Sequence, residues 1–189
     1  MEQSDNGGGL SRSRFISDVA EIRARARQHM ERGAVTPDYP DGRAQICELL
    51  NEALATELVC VLRYKRHYYS VRGSAGKVAA AEFLEHANEE QQHADRIAER
   101  IAQLGGDPDF NPVTLLRRSH SEYDSHESLR DMLLADLFAE RVAIESYREM
   151  IRYFGDRDPT SRRLMEEILA SEEEHADDLV DLLHDLPGK

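Results

Sequence analysis

The sequence predicts an all-α protein: an antiparallel four-helix bundle with one long crossover between its second and third helices, plus an extra N-terminal helix. Three observations carry this. Four segments of about 27 residues repeat apolar residues at steps of three and four, the period of a helix with one buried face. Strand signals are nearly absent, with no sustained alternation of apolar and polar residues. The connections are unequal, two short turns and one stretch of about 20 residues, which is how a bundle with a single crossover is wired.

The elements follow in order. Residues 1–14, with Gly7-Gly8-Gly9 and little apolar content, read as a disordered tail. Residues 15–44 form a helical extension and linker. Its Arg-rich stretch from Phe15 to Arg32 has Ser17 as N-cap and Gly33 as stop, and TPDYPDG at 36–42 is the linker. The bundle occupies 45–187. Helix A is expected at about 43–70, ending before Gly73 and Gly76, and helix B at about 77–104, stopped by Gly105-Gly106. Helix C is expected at about 127–154, capped by Ser125 and stopped by Gly155. Helix D runs over about 159–185, opened by Asp158 as N-cap with Pro159 at its first position. Short turns make A–B and C–D antiparallel hairpins. The B–C segment can extend about 60 Å against helices of about 40 Å, enough to travel the bundle's length.

Composition bounds the function. At 189 residues the chain fits one domain with an appendage. Mean hydropathy is −0.63, no apolar run approaches the ~20 residues of a membrane span, and residues 1–14 lack the apolar core of a leader. No membrane role is expected, and the cytoplasm is the expected compartment. Cys47 and Cys60, far apart on one helix, read as buried thiols rather than a disulfide or zinc site. The net charge of −13 argues against a nucleic-acid footprint. Residues 1–44 hold equal numbers of each sign, so the acidity lies in the body, while the arginines between 12 and 32 make a small basic arm. An acidic body suits cations.

Each apolar stripe is interrupted once, by glutamate. The rows read Leu50, Leu54, Glu57, Val61, Tyr64 in helix A and Phe83, Ala87, Glu90, Ala94, Ile97 in helix B. They continue as Leu133, Leu137, Glu140, Ile144, Tyr147 in helix C and Met165, Leu169, Glu172, Ala176, Leu179 in helix D. Each Glu lies near mid-helix, so antiparallel packing brings all four to one level. Buried carboxylates demand protonation, pairing or a metal, and no Lys or Arg stands in the stripes near that level. Glu90 and Glu172 each head a Glu-x-x-His that places His93 and His175 on the same face. The halves form an internal repeat: Glu57, Tyr64, Glu90 and His93 map onto Glu140, Tyr147, Glu172 and His175 with offsets of 83, 83, 82 and 82. Four carboxylates and two imidazoles nearly neutralise two divalent ions. Oxygen and nitrogen donors suit Fe, Mn or Zn.

Glu from two helices plus Glu-x-x-His from the other two resembles the di-iron signature of the ferritin-like superfamily. The chain is most similar to bacterioferritins over about 45–186, in LLNEALATELVCVLRY, EEQQHADRIAERI, DLFAE and EEILASEEEH. The resemblance implies Glu57 and Glu140 as terminal ligands, Glu90 and Glu172 as bridges, and one ion each for His93 and His175. Tyr64 matches the tyrosine beside the bacterioferritin centre, a hydrogen-bond donor or electron source. It further implies a ferroxidase that binds two irons per subunit, with Mn or Zn as substitutes in vitro. Fe²⁺ would be oxidised with O₂ or H₂O₂ and stored as ferric iron in a homo-oligomeric cage.

Departures refine the expectation. Gln91 stands where bacterioferritins carry the haem-ligating Met, so haem is not expected. No short fifth helix follows helix D and an N-terminal extension is added, which resembles the twelve-subunit cages of Dps proteins more than cages of twenty-four. DRIAERIAQLGGDP is also similar to Dps, but Tyr68-Tyr69-Ser70-Val71 replaces the His-Trp-Asn-Val of its intersubunit site. A site within the bundle is therefore expected. Arg63, Lys65, Arg66 and His67 read as a solvated helix end, and His86, between Glu85 and Glu89, as an exposed histidine rather than an accessory ligand. Two other functions stay open: DNA protection through the Arg-rich arm, not favoured, and a di-metal peroxidase or catalase that stores no iron.

Overall fold

Capping chemistry and buried stripes set the boundaries of the helices. The computed structural model describes residues 18–39 and 41–186; the tail expected at 1–14, the expected Ser17 cap and residues 187–189 lie outside them. The described residues fall into two compact units, divided after Asp38. In the first, α1 spans Val19–Ala26, capped by Asp18, whose Oδ1 accepts from the Ala20 N–H at 2.8 Å. A left-handed His29 and a 3₁₀ turn at Met30–Arg32 follow. The helix expected to reach Arg32 is thus shorter, because α1 buries no residue and a helix without a packed face does not propagate far.

The second unit holds α2 (Arg43–Ser70), α3 (Gly73–Gln103), α4 (Leu115–Arg118), α5 (Leu129–Phe154) and α6 (Pro159–His184). Helices A to D are α2, α3, α5 and α6. The α2–α3 and α5–α6 hairpins dominate the packing, with α2 also against α5 and α3 against α6. The B–C crossover contains α4, a single turn that rests on α2.

Two boundaries differ from the sequence expectation. Helix α3 begins at Gly73, not residue 77, because extended Val71 and Arg72 make the whole turn. Gly76 does not stop a helix there; it lets the turn close, since a Cβ would lie 2.8 Å from Val71 Cγ2. Helix α5 is capped by Ser128 rather than Ser125. Ser128 Oγ accepts from the Asp131 N–H at 3.1 Å and donates to its Oδ2 at 2.5 Å, a reciprocal cap that needs an acidic residue three positions on. Ser125 has Ser128 there instead. Asp158 caps α6 as expected, accepting from the Ser161 N–H at 3.0 Å.

The core falls into two apolar clusters with a polar layer between them. One gathers Leu50, Leu54, Ile97, Ile101, Tyr147, Met150, Met165 and Ile168, and the other Cys60, Tyr64, Phe83, Ala87, Met132, Leu133 and Leu179. Arg63 and His67 are buried in the bundle, not solvated. Arg63 Nε donates to Asp136 Oδ1 at 2.7 Å, and its Nη1 reaches Ser121 Oγ and the Glu122 carbonyl in the crossover; His67 Nδ1 lies 2.8 Å from Asp136 Oδ2. This network ties α2, α5 and the crossover together. Among the described residues no helix is long and apolar enough to cross a membrane.

Candidate metal centre

The polar layer consists of the six residues singled out by the repeat. Glu57 comes from α2, Glu90 and His93 from α3, Glu140 from α5, and Glu172 and His175 from α6, none more than 5% exposed. They form two groups that share Glu90 and Glu172: Glu57, Glu90, His93 and Glu172, then Glu90, Glu140, Glu172 and His175. Within each group one oxygen or nitrogen of every residue lies within 4.8 Å of the others. His93 Nδ1 stands 3.2 Å from Glu172 Oε1, 3.3 Å from Glu57 Oε2 and 3.7 Å from Glu90 Oε2. His175 Nδ1 stands 3.2 Å from Glu172 Oε2, 3.6 Å from Glu90 Oε1 and 4.0 Å from Glu140 Oε2.

These contacts are electrostatic rather than hydrogen-bonded. Glu57 Oε2, Glu90 Oε1, Glu140 Oε2, both Glu172 oxygens and both Nδ1 atoms are buried without a hydrogen-bond partner. Unsatisfied polar atoms normally disfavour folding; here all face one small volume, as donors to a shared pair of cations do. Oxygen and imidazole donors fit borderline divalent ions.

Protonation is shaped by the same crowding. Burial, then the charge of Glu90, pushes Glu57 up to about 8. Burial with Glu90 and Glu172 lifts Glu140 well above the carboxylate range. In Glu90 burial and Glu172 act upward too, but its contacts with Glu57, His175 and His93 outweigh them and hold it below its ordinary value. Burial acts to lower both ligand-like imidazoles, yet the facing carboxylates raise them, His175 to about 12 and His93 further. Without metal, protons therefore take the place of cations.

The surrounding shell repeats the twofold pattern. Tyr64 donates to Glu140 Oε1, and Tyr147, its repeat partner, donates to Glu57 Oε1. Tyr64 was legible from the sequence; Tyr147 had the same offset as its signal. On the α6 side His175 Nε2 contacts Glu89 Oε2 at 2.6 Å, so the ring turns Nδ1 inward. His86 corrects the sequence reading: it is 1% exposed, stacked on His175 with ring centroids 4.1 Å apart, its Nδ1 3.3 Å from the Tyr64 hydroxyl. Its signal was its place four residues before Glu90, one turn along the same face. Burial and the neighbouring His175 hold His86 down at about 4. The buried methionines Met132, Met150 and Met165 lie in the apolar clusters, and Gln91 points to Asp95 on the surface.

Comparison with known proteins agrees with this architecture. Residues 47–188 match the ferritin-like domain. A bacterioferritin of Brucella melitensis is 35% identical over 138 residues, covering 72% of this chain and 81% of that protein. A nutrient stress-induced DNA-binding protein of Synechococcus is 35% identical over 139 residues, covering 70% and 77%. Among solved structures, the dodecameric thioferritin of Bacteroides fragilis, a bacterioferritin-related protein, superposes with a TM-score of 0.73 at 34% identity, covering 76% of this chain and 86% of that one. With the fold, the polar layer and the matched span in agreement, the chain belongs to the ferritin-like family.

Proposed function

We propose that this protein is a ferroxidase that takes two Fe²⁺ into each chain, oxidises them with O₂ or H₂O₂, and retains the ferric product in a homo-oligomeric cage in the cytoplasm. The observation that carries the reading is the pair of overlapping donor groups sharing Glu90 and Glu172, with seven buried donor atoms left without partners. In this reading Glu57 and His93 hold one ion, Glu140 and His175 the other, and Glu90 and Glu172 bridge them. Four carboxylates with two neutral imidazoles balance two divalent charges. Tyr64 and Tyr147 orient the terminal carboxylates. Each Fe²⁺ gives up one electron; two electrons and two protons convert O₂ to H₂O₂, or H₂O₂ to two waters. The acidic balance of the chain favours Fe²⁺ accumulation by electrostatic steering. Mn²⁺ and Zn²⁺ share the donor preference and would occupy the same positions in vitro. Likeness to a dodecameric relative supports a cage of twelve over one of twenty-four.

The test is aerobic Fe²⁺ addition beyond two equivalents per chain, to the wild type and to Glu90→Ala, followed by absorbance and by size exclusion with light scattering. Oxidation that continues past two per chain, with iron co-eluting with a large assembly and lost in the variant, is expected. Oxidation that stops at two, or a small oligomer without iron, would replace storage with a di-metal peroxidase or catalase. DNA protection is the second reading, supported by Arg23 and Arg25, neither of them buried, in α1 and by likeness to a protein named for DNA binding. Deletion of residues 1–34 would then abolish salt-sensitive DNA retention while sparing iron oxidation.

A further inference from the structure

One turn from the metal centre, in the groove between α3 and α6, three potential ligands converge without a cation. Glu82, His86 and Asp178 each offer one donor atom, all within 4.8 Å of one another. His86 Nε2 lies 3.5 Å from Asp178 Oδ2 and 3.9 Å from Glu82 Oε2. Atoms bound to one ion at about 2.1 Å stand about 3.0–3.5 Å apart when adjacent, so small rotamer changes bring the three onto a common ion. Among the described residues no Lys or Arg pairs with either carboxylate. Glu82 is pushed up by burial and by Asp178, Glu85 and Glu89, a sign of uncompensated negative charge.

The hydrogen-bond chain sets the imidazole tautomer. Tyr64 spends its proton on Glu140, so its oxygen can only accept from His86 Nδ1. That leaves Nε2 as a lone pair aimed at two carboxylates, an arrangement of three acceptors that a cation resolves. The internal repeat supplies a comparison. The offset of 82 carries Glu82 and His86 to Leu164 and Ile168, and carries Asp178 back to Arg96. In that half the two α6 positions are apolar, Leu164 partly and Ile168 wholly buried, and Arg96 pairs with Glu167. Apolar residues therefore suffice structurally, and the triad breaks the symmetry in one half alone.

We propose that Glu82, His86 and Asp178 form a third site for a divalent first-row cation of the Fe²⁺ class, about 6 Å along α3 from the level of Glu90. Glu82 and Asp178 are half-exposed and His86 is buried, so the site opens to solvent on one side and to the His175 ring on the other. An ion held there waits beside the centre without belonging to it.

The test uses Co²⁺, whose anomalous scattering locates each ion, on the full-length protein. Equilibrium dialysis should find three Co²⁺ per wild-type chain, and crystals should show a peak within bonding distance of His86 Nε2. Glu82→Gln with Asp178→Asn, both away from the core, should lose one ion and keep the melting temperature. Glu90→Ala should keep the third peak while emptying the centre. A wild type with no peak at His86, or a third ion that survives the double variant, would overturn the proposal. Failure of the ferroxidase reading is a separate result: the peak at His86 would persist while Fe²⁺ oxidation was unaffected by Glu90→Ala.

Discussion

Replacing Glu140 with Gln should make the metal-free protein more stable and the metal-loaded protein less so. Glu140 is wholly buried and held well above its ordinary value of 4.5 by burial and by Glu90 and Glu172. A carboxyl that is ionised in the unfolded chain but protonated in the folded one must take up a proton on folding. At pH 7 that costs at most about 1.4 kcal/mol for each of the 2.5 pH units above 4.5, or about 3–4 kcal/mol. Gln carries no such cost, still accepts from Tyr64, and places an amide donor among the remaining carboxylates. Allowing for imperfect packing, a gain of about 1–3 kcal/mol remains, or roughly 2–10 °C in melting temperature for a chain of this size.

The sign reverses with metal. Saturating Co²⁺ at about a hundred times its dissociation constant should stabilise the wild type by about 2.7 kcal/mol for each ion bound, and the share of the ion held with Glu140 should vanish in Glu140→Gln. The pH dependence supplies a further check. A raised carboxyl destabilises the fold increasingly as pH climbs from the unfolded value of 4.5 toward the folded one, so the advantage of the variant should fall below about 1 kcal/mol at pH 5. Thermal unfolding at pH 5 and 7, with chelator and with Co²⁺, reads all of this. A metal-free variant less stable than wild type at pH 7, or an undiminished Co²⁺ shift, would refute the reasoning.

Three further outcomes follow from the geometry. Asp136→Ala leaves the Arg63 guanidinium, 1% exposed, without its carboxylate; a loss of about 3–5 kcal/mol is expected, read as a melting temperature lower by roughly 10 °C. Glu89→Ala removes the partner of His175 Nε2 and should weaken Co²⁺ binding at the position served by His175 by about tenfold, visible as a split titration isotherm. Loading must displace protons from Glu57, held up near 8, and from both raised imidazoles. Co²⁺ addition at pH 7 should therefore acidify a weakly buffered solution by more than one proton per ion, with affinity rising toward pH 9; a pH-independent affinity would show that the imidazoles are already free.

The ligand layer was legible because burial forces a choice on every residue in a stripe. A carboxylate at a core position needs a partner, and Glu57, Glu90, Glu140 and Glu172 sat at matched depth with His93 and His175 one turn away. Offsets of 82 and 83 turned four separate oddities into one site. What stayed hidden is chemistry created by tertiary contact. His86 has Glu85 and Glu89 as neighbours and reads as a solvated face, until α6 covers it and lays His175 against its ring. Arg63 and His67 read as a basic helix end because their counter-charge, Asp136, lies 73 residues from Arg63 and on another helix. The early start of α3 stayed hidden because Gly73 and Gly76 read as breakers, whereas the turn needs Gly76 for closeness to Val71.

The repeat explains the site, and its breaks explain how the two halves differ. At the ligand layer the twofold is close: Tyr64 serves Glu140 as Tyr147 serves Glu57, and each imidazole faces both Glu90 and Glu172, His93 at 3.7 and 3.2 Å and His175 at 3.6 and 3.2 Å. One residue further out it fails. His175 leans on Glu89, but the offset puts Ser171 where His93 would find the matching carboxylate. A carboxylate behind a ligand imidazole raises its basicity and fixes its orientation, so the position served by His175 is the better prepared of the two. The Glu82–His86–Asp178 triad lies on that same side, and its counterparts Leu164, Ile168 and Arg96 offer no carboxylate or imidazole on the other. Both departures from symmetry add acidity to the α3–α6 face next to His175. In the proposed reading, a site built on an internal repeat thereby gains a preferred side for approaching cations, which two identical halves could not provide.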